Sequence, residues 1–469
     1  MGWKLRFQAL LGGVNMLKES SQGDALPKHP IKKALSPILT HPPIAFLASF
    51  PPRECGIATF TADLAEALDH ARPLAQPSPV IAINPGGRQY AYGPRVRWTI
   101  ERDELESYQR AARAINRSRV QLVSIQHEYG LFGGEYGEYL LTFLRALEKP
   151  ATLTMHTVLE RPDPAMRRVT EELAQAASAV VVLAERARVI LSEYYPRVDL
   201  KKVHFIPHGT PEVAYEPSAR FKKALGLEGC TLLATFGLLG PDKGIEYVLD
   251  ALPEVLKHHS DVLYLVLGET HPELRRHSGE SYREFLEARV AELGLGDHVR
   301  FYKRYLNRTE LVEFLQATDI YVIPYLNPYQ IASGTLSYAV ASGKTVVSTP
   351  FIHAQELLSE GRGMLARFRD SASLAVAINT LLDHPELRAQ MERAAYIYGQ
   401  RMHWPAVGRA YSRLFQRLVN AHSARRAEVA HPASHLGALR RRAISSLPRG
   451  AADLPGRSIA SSGETSLAL

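Results

Sequence analysis

Apolar residues recur in short β-branched runs, and these alternate with stretches of helical spacing. The runs 44–49, 80–84, 120–126, 151–155, 179–183 and 203–206 read as buried strands. Between them, 57–70, 103–116, 135–148 and 185–195 carry apolar positions at helical intervals. Repeated strand–helix units predict a parallel sheet covered by helices on both faces. The pattern breaks over 208–228, a polar stretch with Pro211 and Pro217 that reads as a linker. A second series follows, with strands over 231–236, 262–267, 299–302, 320–324 and 345–348. Its helices fall at 245–258, 281–293 and within 371–399, and a last helix lies near 405–419. The expected architecture is α/β, with two doubly wound Rossmann-like domains whose strand ends face a central cleft. The expected divisions are an N-terminal extension 1–43, a first domain 44–208, a linker 209–230, a second domain 231–402, a closing helix 403–420 and a tail 421–469 that is mostly disordered.

Length agrees with two domains, since 469 residues exceed one ordinary core. The net charge of +8 would suggest a polyanionic partner, but its distribution does not. Residues 1–43 hold six Lys/Arg against two acids, and 421–469 hold seven against three, so each end is +4. The body, 44–420, has 43 of each sign. No nucleic-acid partner is expected, and the basic tails imply at most a weak contact with a membrane surface. Cys55 and Cys230 form no metal or disulfide spacing, which implies a reducing, cytoplasmic setting. No run of eighteen apolar residues exists, and the N-terminal stretch makes a poor signal peptide.

The most informative stretch is 325–350, YLNPYQIASGTLSYAVASGKTVVSTP. A polar turn leads into Ser333-Gly334-Thr335, then a small-residue helix, then a buried strand. Such a helix start offers amides and two hydroxyls to an anion, and it equally reads as an ordinary N-cap. Lys243 stands just before a helix start, where the dipole disfavours a cation unless an anion binds there. His156 and the pair His127-Glu128 follow predicted strands, where a doubly wound fold puts its ligands, although either histidine fits a packing role too. Gly56 lies in a strand-to-helix turn, with Arg53 beside it. No Asp-x-Asp metal motif appears, so no metal and no cofactor are expected.

Taken in order, several motifs resemble glycosyltransferases of the GT-B fold, closest to the retaining glycosyltransferase family 4. They are PPRECGIATFTADLAEAL (51–68), TMHTV (154–158), FIPHGT (205–210), FGLLGPDKGIEYVLDAL (236–252), ATDIYVIPY (317–325), ASGKTVVST (341–349) and His403-Trp404. The resemblance covers about 44–420. It implies that the first domain is the acceptor side, that the second holds a nucleotide sugar, and that the closing helix crosses back to the first. By the same resemblance Gly56, Leu238, Lys243, Gln330, Ser333, Gly334, Thr335 and Tyr338 line the donor. His156, Lys243 and Gln330 serve catalysis, and Arg53, His127 and Glu128 touch acceptor or sugar.

Departures from the family pattern are specific. Leu238 stands where the family has Arg, His208 where it has Asn, and Gln330 and Tyr338 where it has two Glu. In the family the first Glu contacts donor-sugar hydroxyls and the second binds ribose. The expected function is a retaining transferase that moves a hexose from a nucleoside diphosphate sugar to a carbohydrate or related hydroxyl acceptor. The departures leave open a sugar phosphorylase on the same fold, or a non-catalytic sugar-binding protein with a degenerate site.

Overall fold

The computed structural model describes residues 42–72 and 76–430. The first sheet is seven-stranded and parallel, built from β1 (Ile44–Ala48), β2 (Val80–Asn84), β3 (Val96–Glu101), β4 (Leu122–His127), β5 (Ala151–Met155), β6 (Ala179–Val182) and β7 (Val203–Phe205). Their order across the sheet is β3-β2-β1-β4-β5-β6-β7. Its helices are α1 (Gly56–Ala71), α2 (Leu105–Arg117), α3 (Tyr139–Ala146), α4 (Pro164–Ala176) and α5 (Glu185–Tyr194). The second sheet is six-stranded, from β8 (Thr231–Phe236), β9 (Val262–Leu267), β10 (Val299–Tyr302), β11 (Ile320–Ile323), β12 (Thr345–Ser348) and β13 (Met364–Leu365), in the order β10-β9-β8-β11-β12-β13. Strand order reverses between β1 and β4 and again between β8 and β11, so each sheet opens a crevice at those carboxyl ends.

A helix, α6 (Ser218–Leu225), precedes the second sheet. The remaining helices are α7 (Ile245–Leu256), α8 (Pro272–Ser278), α9 (Ser281–Glu292), α10 (Arg308–Ala317), α11 (Gly334–Ala341), α12 (Ile352–Leu357), α13 (Ser371–Asp383), α14 (Pro385–Gly399) and α15 (Trp404–Ala430). Among the described residues none of these helices is long and apolar enough to cross a membrane.

Several local expectations need correction. The polar stretch read as linker contains α6, which packs on α10, and its Ser218 hydroxyl and Lys222 ammonium both reach Asp319. A polar outer face hid an amphipathic helix there. The helix expected over 135–148 is a 3-10 turn at Glu135–Gly137 followed by α3, because Tyr136 sits at φ 51° and breaks the spiral. The closing helix does not stop near 419 but runs to Ala430, so the first ten residues assigned to a disordered tail are helical. The other tail residues, and the N-terminal extension up to 41, lie outside the described residues.

The last helix is part of the first domain's core. Val407, Tyr411, Leu414 and Phe415 pack with Phe60 and Leu64 of α1 and with Phe46, Leu122 and Val181 of the sheet. The Tyr411 hydroxyl lies 3.2 Å from that of Thr154 in β5. Phe415 is fully buried. Replacing it with alanine is expected to cost about 3–5 kcal/mol. Urea unfolding followed by circular dichroism checks this, and a change under 1 kcal/mol would mean that α15 does not seal the first domain.

Candidate functional site

The site is assembled at the crevice of each sheet, where loops leave the strand ends. In the second domain, the turn after β8 carries Lys243. Gly244 adopts φ 64°, and a β-carbon there would fall 2.3 Å from the Pro324 carbonyl, so only glycine allows this turn to abut the end of β11. That approach sets the Lys243 ammonium 4.3 Å from the centre of the Tyr325 ring and 2.8 Å from Asp242 Oδ2. Burial lowers the Lys243 pKa, but Tyr325 and Asp242 more than offset it and hold the pKa above the ordinary lysine value. The Tyr325 hydroxyl is in turn 3.0 Å from the Thr335 hydroxyl.

α11 begins beside this pair. The Ser333 hydroxyl caps it by accepting from the Leu336 amide, and lies 3.1 Å from the Thr335 hydroxyl. Ser333 donates its own amide to His353 Nδ1 at 2.9 Å, so it is not free for a ligand. The first-turn amides of Gly334 and Thr335 have no intrahelical acceptor. Leu238 is half-buried in the preceding loop. Gln330 folds back, donating its side-chain amide to the Ala332 carbonyl at 3.0 Å. Tyr338 is buried, and its hydroxyl donates across the cleft to Asp63 Oδ2 at 3.3 Å. These last two side chains are thus engaged within the protein.

The first domain contributes a row of neutral imidazoles. His127 ends β4 and His156 follows β5, with the His156 amide bonded to the His127 carbonyl at 3.0 Å. His156 Nε2 lies 3.1 Å from Gln126 Oε1. Burial, with repulsion from His208 and His127, lowers the His156 pKa to about 3. His127 is 1% exposed, and neither ring nitrogen has a hydrogen-bond partner among the described residues. Burial lowers its pKa to about 4. Such a ring lacks the bonds that normally offset its desolvation. Glu128 beside it accepts from the Thr157 hydroxyl at 2.8 Å and the Tyr129 amide at 2.9 Å, and burial raises its pKa. Among the described residues, nothing comes within 4 Å of where a Gly56 β-carbon would stand at the start of α1, and the buried Arg53 Nη1 has no hydrogen-bond partner.

Sequence reasoning missed the residues that join the two halves. The Phe60 ring stands edge-on to His156 at 4.7 Å and to His208 at 5.0 Å. His208 lies over α11, with Nε2 3.0 Å from where a Gly334 β-carbon would be. Its Nδ1 is 2.7 Å from the Gly209 carbonyl and so donates, leaving Nε2 unprotonated. His353 Nδ1 accepts from Ser333, so its proton is on Nε2. Burial lowers the His208 pKa to about 4, and burial with His208 nearby lowers that of His353 to about 3. A histidine five residues beyond β12 was the available signal for His353. Two surface hollows, of about 520 and 610 Å³, lie elsewhere, and no residue of this cluster lines either.

Residues 218–398 match the profile of a family described as "Glycosyl transferases group 1". A D-inositol 3-phosphate glycosyltransferase of Acidothermus cellulolyticus is 29% identical over 54% of this chain and 59% of its own length. A phosphatidyl-myo-inositol mannosyltransferase of Mycolicibacterium smegmatis is 26% identical over 46% of this chain and 52% of its own. The chain thus aligns with less than two thirds of either relative. In fold, it is similar to a sucrose-phosphate synthase of Thermosynechococcus elongatus, with TM-score 0.66, 20% identity, and coverage of 81% of this chain and 99% of that one. Anabaena HepE in complex with UDP gives TM-score 0.62 at 17% identity, covering 80% of this chain and all of that one.

The cleft histidines His127, His156, His208 and His353 predict an acid-sensitive fold. Their folded pKa values lie below the unfolded value of about 6.5, so the unfolded chain binds more protons as pH falls. Their stabilisation is complete above about pH 6.5 and is lost as pH falls from there through about 4 for His127 and His208 and about 3 for His156 and His353, at up to about 1.4 kcal/mol per pH unit for each ring. Glu128 and Asp63, whose pKa values burial raises, act in the opposite sense above their unfolded values. The expected outcome is a steadily falling unfolding temperature from pH 6.5 to 4.5 in calorimetry. A flat profile over that range would show that the rings titrate as freely as in the unfolded chain.

Proposed function

We propose, from the premise that residues 218–398 belong to the group 1 glycosyl transferases within a body of GT-B fold, that this protein is a retaining hexosyltransferase. Its donor is a nucleoside diphosphate sugar and its acceptor a hydroxyl of a carbohydrate or related polyol. The observation that carries this reading is the convergence of Lys243, Tyr325, Thr335 and the first-turn amides of α11 on one spot. A cation, two hydroxyls and a helix start suit the diphosphate, where negative charge builds as the glycosidic bond breaks. The relatives' names, a D-inositol 3-phosphate glycosyltransferase and a phosphatidyl-myo-inositol mannosyltransferase, favour a polyol acceptor. The UDP complex of HepE makes UDP the first donor product to test.

Chemically, the sugar C1–O bond to the diphosphate breaks and an acceptor oxygen bonds to C1 on the same face. The acceptor proton passes to a diphosphate oxygen, so no protein nucleophile is needed. Lys243 and the α11 amides stabilise the leaving group. At the end of β4, Glu128 offers a carboxylate to the acceptor's hydroxyls, and His127 can add a ring N–H and a ring acceptor only once the packing over its buried nitrogens opens. The neutral state of the histidines suits that task, since a neutral ring both donates and accepts. Gln330 can reach the sugar only by releasing the Ala332 carbonyl. The proposed setting is the cytoplasm, where the unpaired Cys55 and Cys230 stay reduced.

Two measurements test the reading. Calorimetry with UDP should show Lys243→Ala weakening binding by about 1.5–3 kcal/mol, with Gln330→Ala close to wild type. Unchanged UDP affinity in Lys243→Ala, with melts showing an intact fold, would remove the donor site. Stabilisation by inorganic phosphate with sugar, but not by UDP or other nucleoside diphosphates, would point to the phosphorylase instead.

With charge neutralisation assigned to Lys243 and the amides, sugar transfer is also expected to persist in EDTA. Loss of turnover in chelator that magnesium or manganese restores would refute that assignment.

A further inference from the structure

Asp63, in the middle of α1, spends both carboxylate oxygens on the other domain. Oδ1 accepts from Arg308 Nη1 at 3.0 Å and Oδ2 from the Tyr338 hydroxyl at 3.3 Å. One turn earlier, the Thr59 hydroxyl lies 3.3 Å from that of Tyr305, and one turn later Glu66 is 3.6 Å from Arg308. Thr59, Asp63 and Glu66 share one face of α1, and their partners come from the loop before α10, from α10 and from α11. Asp63 and Tyr338 are each only 8% exposed, so their contact is a desolvated one. Tyr338 occupies the position where the family resemblance implies a ribose-binding carboxylate. A phenol cannot chelate two ribose hydroxyls as a carboxylate does, and this one already donates to Asp63.

We propose that Tyr338 and Arg308 are positioning residues, which clamp α1 to the donor-side domain through Asp63, and that Tyr338 does not hold the nucleotide. The clamp sits on one side of the cleft. On another, the Glu356 carboxylate of α12 accepts the Glu185 and Arg186 amides at the start of α5, at 3.0 and 2.9 Å. With both in place the two half-sites stay in register and water is kept from the donor. The catalytic consequence rests on the transferase reading above, while the clamp itself rests on geometry alone.

The test uses the full chain as wild type, Tyr338→Phe, Asp63→Asn, Asp63→Ala and Tyr338→Phe with Asp63→Ala. Small-angle scattering reads domain opening, calorimetry reads UDP affinity, and UDP-glucose assays read the ratio of donor hydrolysis to transfer. Asp63→Ala is expected to enlarge the radius of gyration and raise hydrolysis relative to transfer about tenfold, with UDP affinity held within about twofold. Tyr338→Phe should give part of that effect in the wild-type background and none in the Asp63→Ala background. Asp63→Asn, which keeps the shape but loses the charge, should fall between, and it decides the matter if Asp63→Ala fails to fold. Unchanged scattering in every folded variant overturns the proposal. So does a tenfold or greater loss of UDP affinity in Tyr338→Phe, which would return Tyr338 to the nucleotide. If wild type binds no nucleoside diphosphate, the transferase reading falls, and scattering alone still decides whether the clamp exists.

Discussion

The geometry of the cleft depends on the place where the chain crosses between domains twice. The Thr210 amide donates to the Met402 carbonyl, and the Trp404 amide donates to the Thr210 carbonyl, both at 2.8 Å. Gly209 makes that crossing tight, because a β-carbon there would fall 2.2 Å from the Trp404 ring. One crossing leads out of the first sheet, and the other leads into α15, which returns to it. Backbone hydrogen bonds tie the two together, so the domains share one short pivot. His208 and Phe60, with the start of α11, sit directly against it.

From that pivot outward, the contacts between domains are of two kinds. Apolar contact comes from the loop before α11, whose Ile331 is 3% exposed within the first domain's core cluster and whose Ala332 packs beside it. Polar contact comes from Asp63 with Arg308 and Tyr338, and from Glu356 at α5. Arg308 is half-exposed while Asp63 is buried, so their ion pair adds little net stability, but removing Arg308 strips a buried carboxylate of its cation. Such contacts specify an arrangement of domains more than they add stability. In the cleft, His127 and His156 of the first domain are neutral, and Lys243 of the second stays charged between Tyr325 and Asp242.

What the sequence determined by itself was the local and periodic part. Buried parallel strands are apolar throughout and their helices carry one apolar face, so period alone located most strands and the helices between them. It missed β3, an edge strand whose apolar run is interrupted by Arg97 and ends in Glu101, and α4, despite the Asp163–Pro164 start that caps it. Motif order placed the candidate residues at strand ends, because in a doubly wound sheet the loops after the strands are fixed by topology. Tertiary structure decided which of them meet. Tyr338 and Asp63 lie 275 residues apart and His353 lies 20 residues from Ser333, so no local spacing could pair them. Nor could it show that Gln330 turns back onto its own loop while both ring nitrogens of His127 lack a partner among the described residues. Period and turn chemistry depend on near neighbours along the chain. Burial, protonation and partner choice depend on what the other domain brings within a few ångströms, and only the folded chain supplies that.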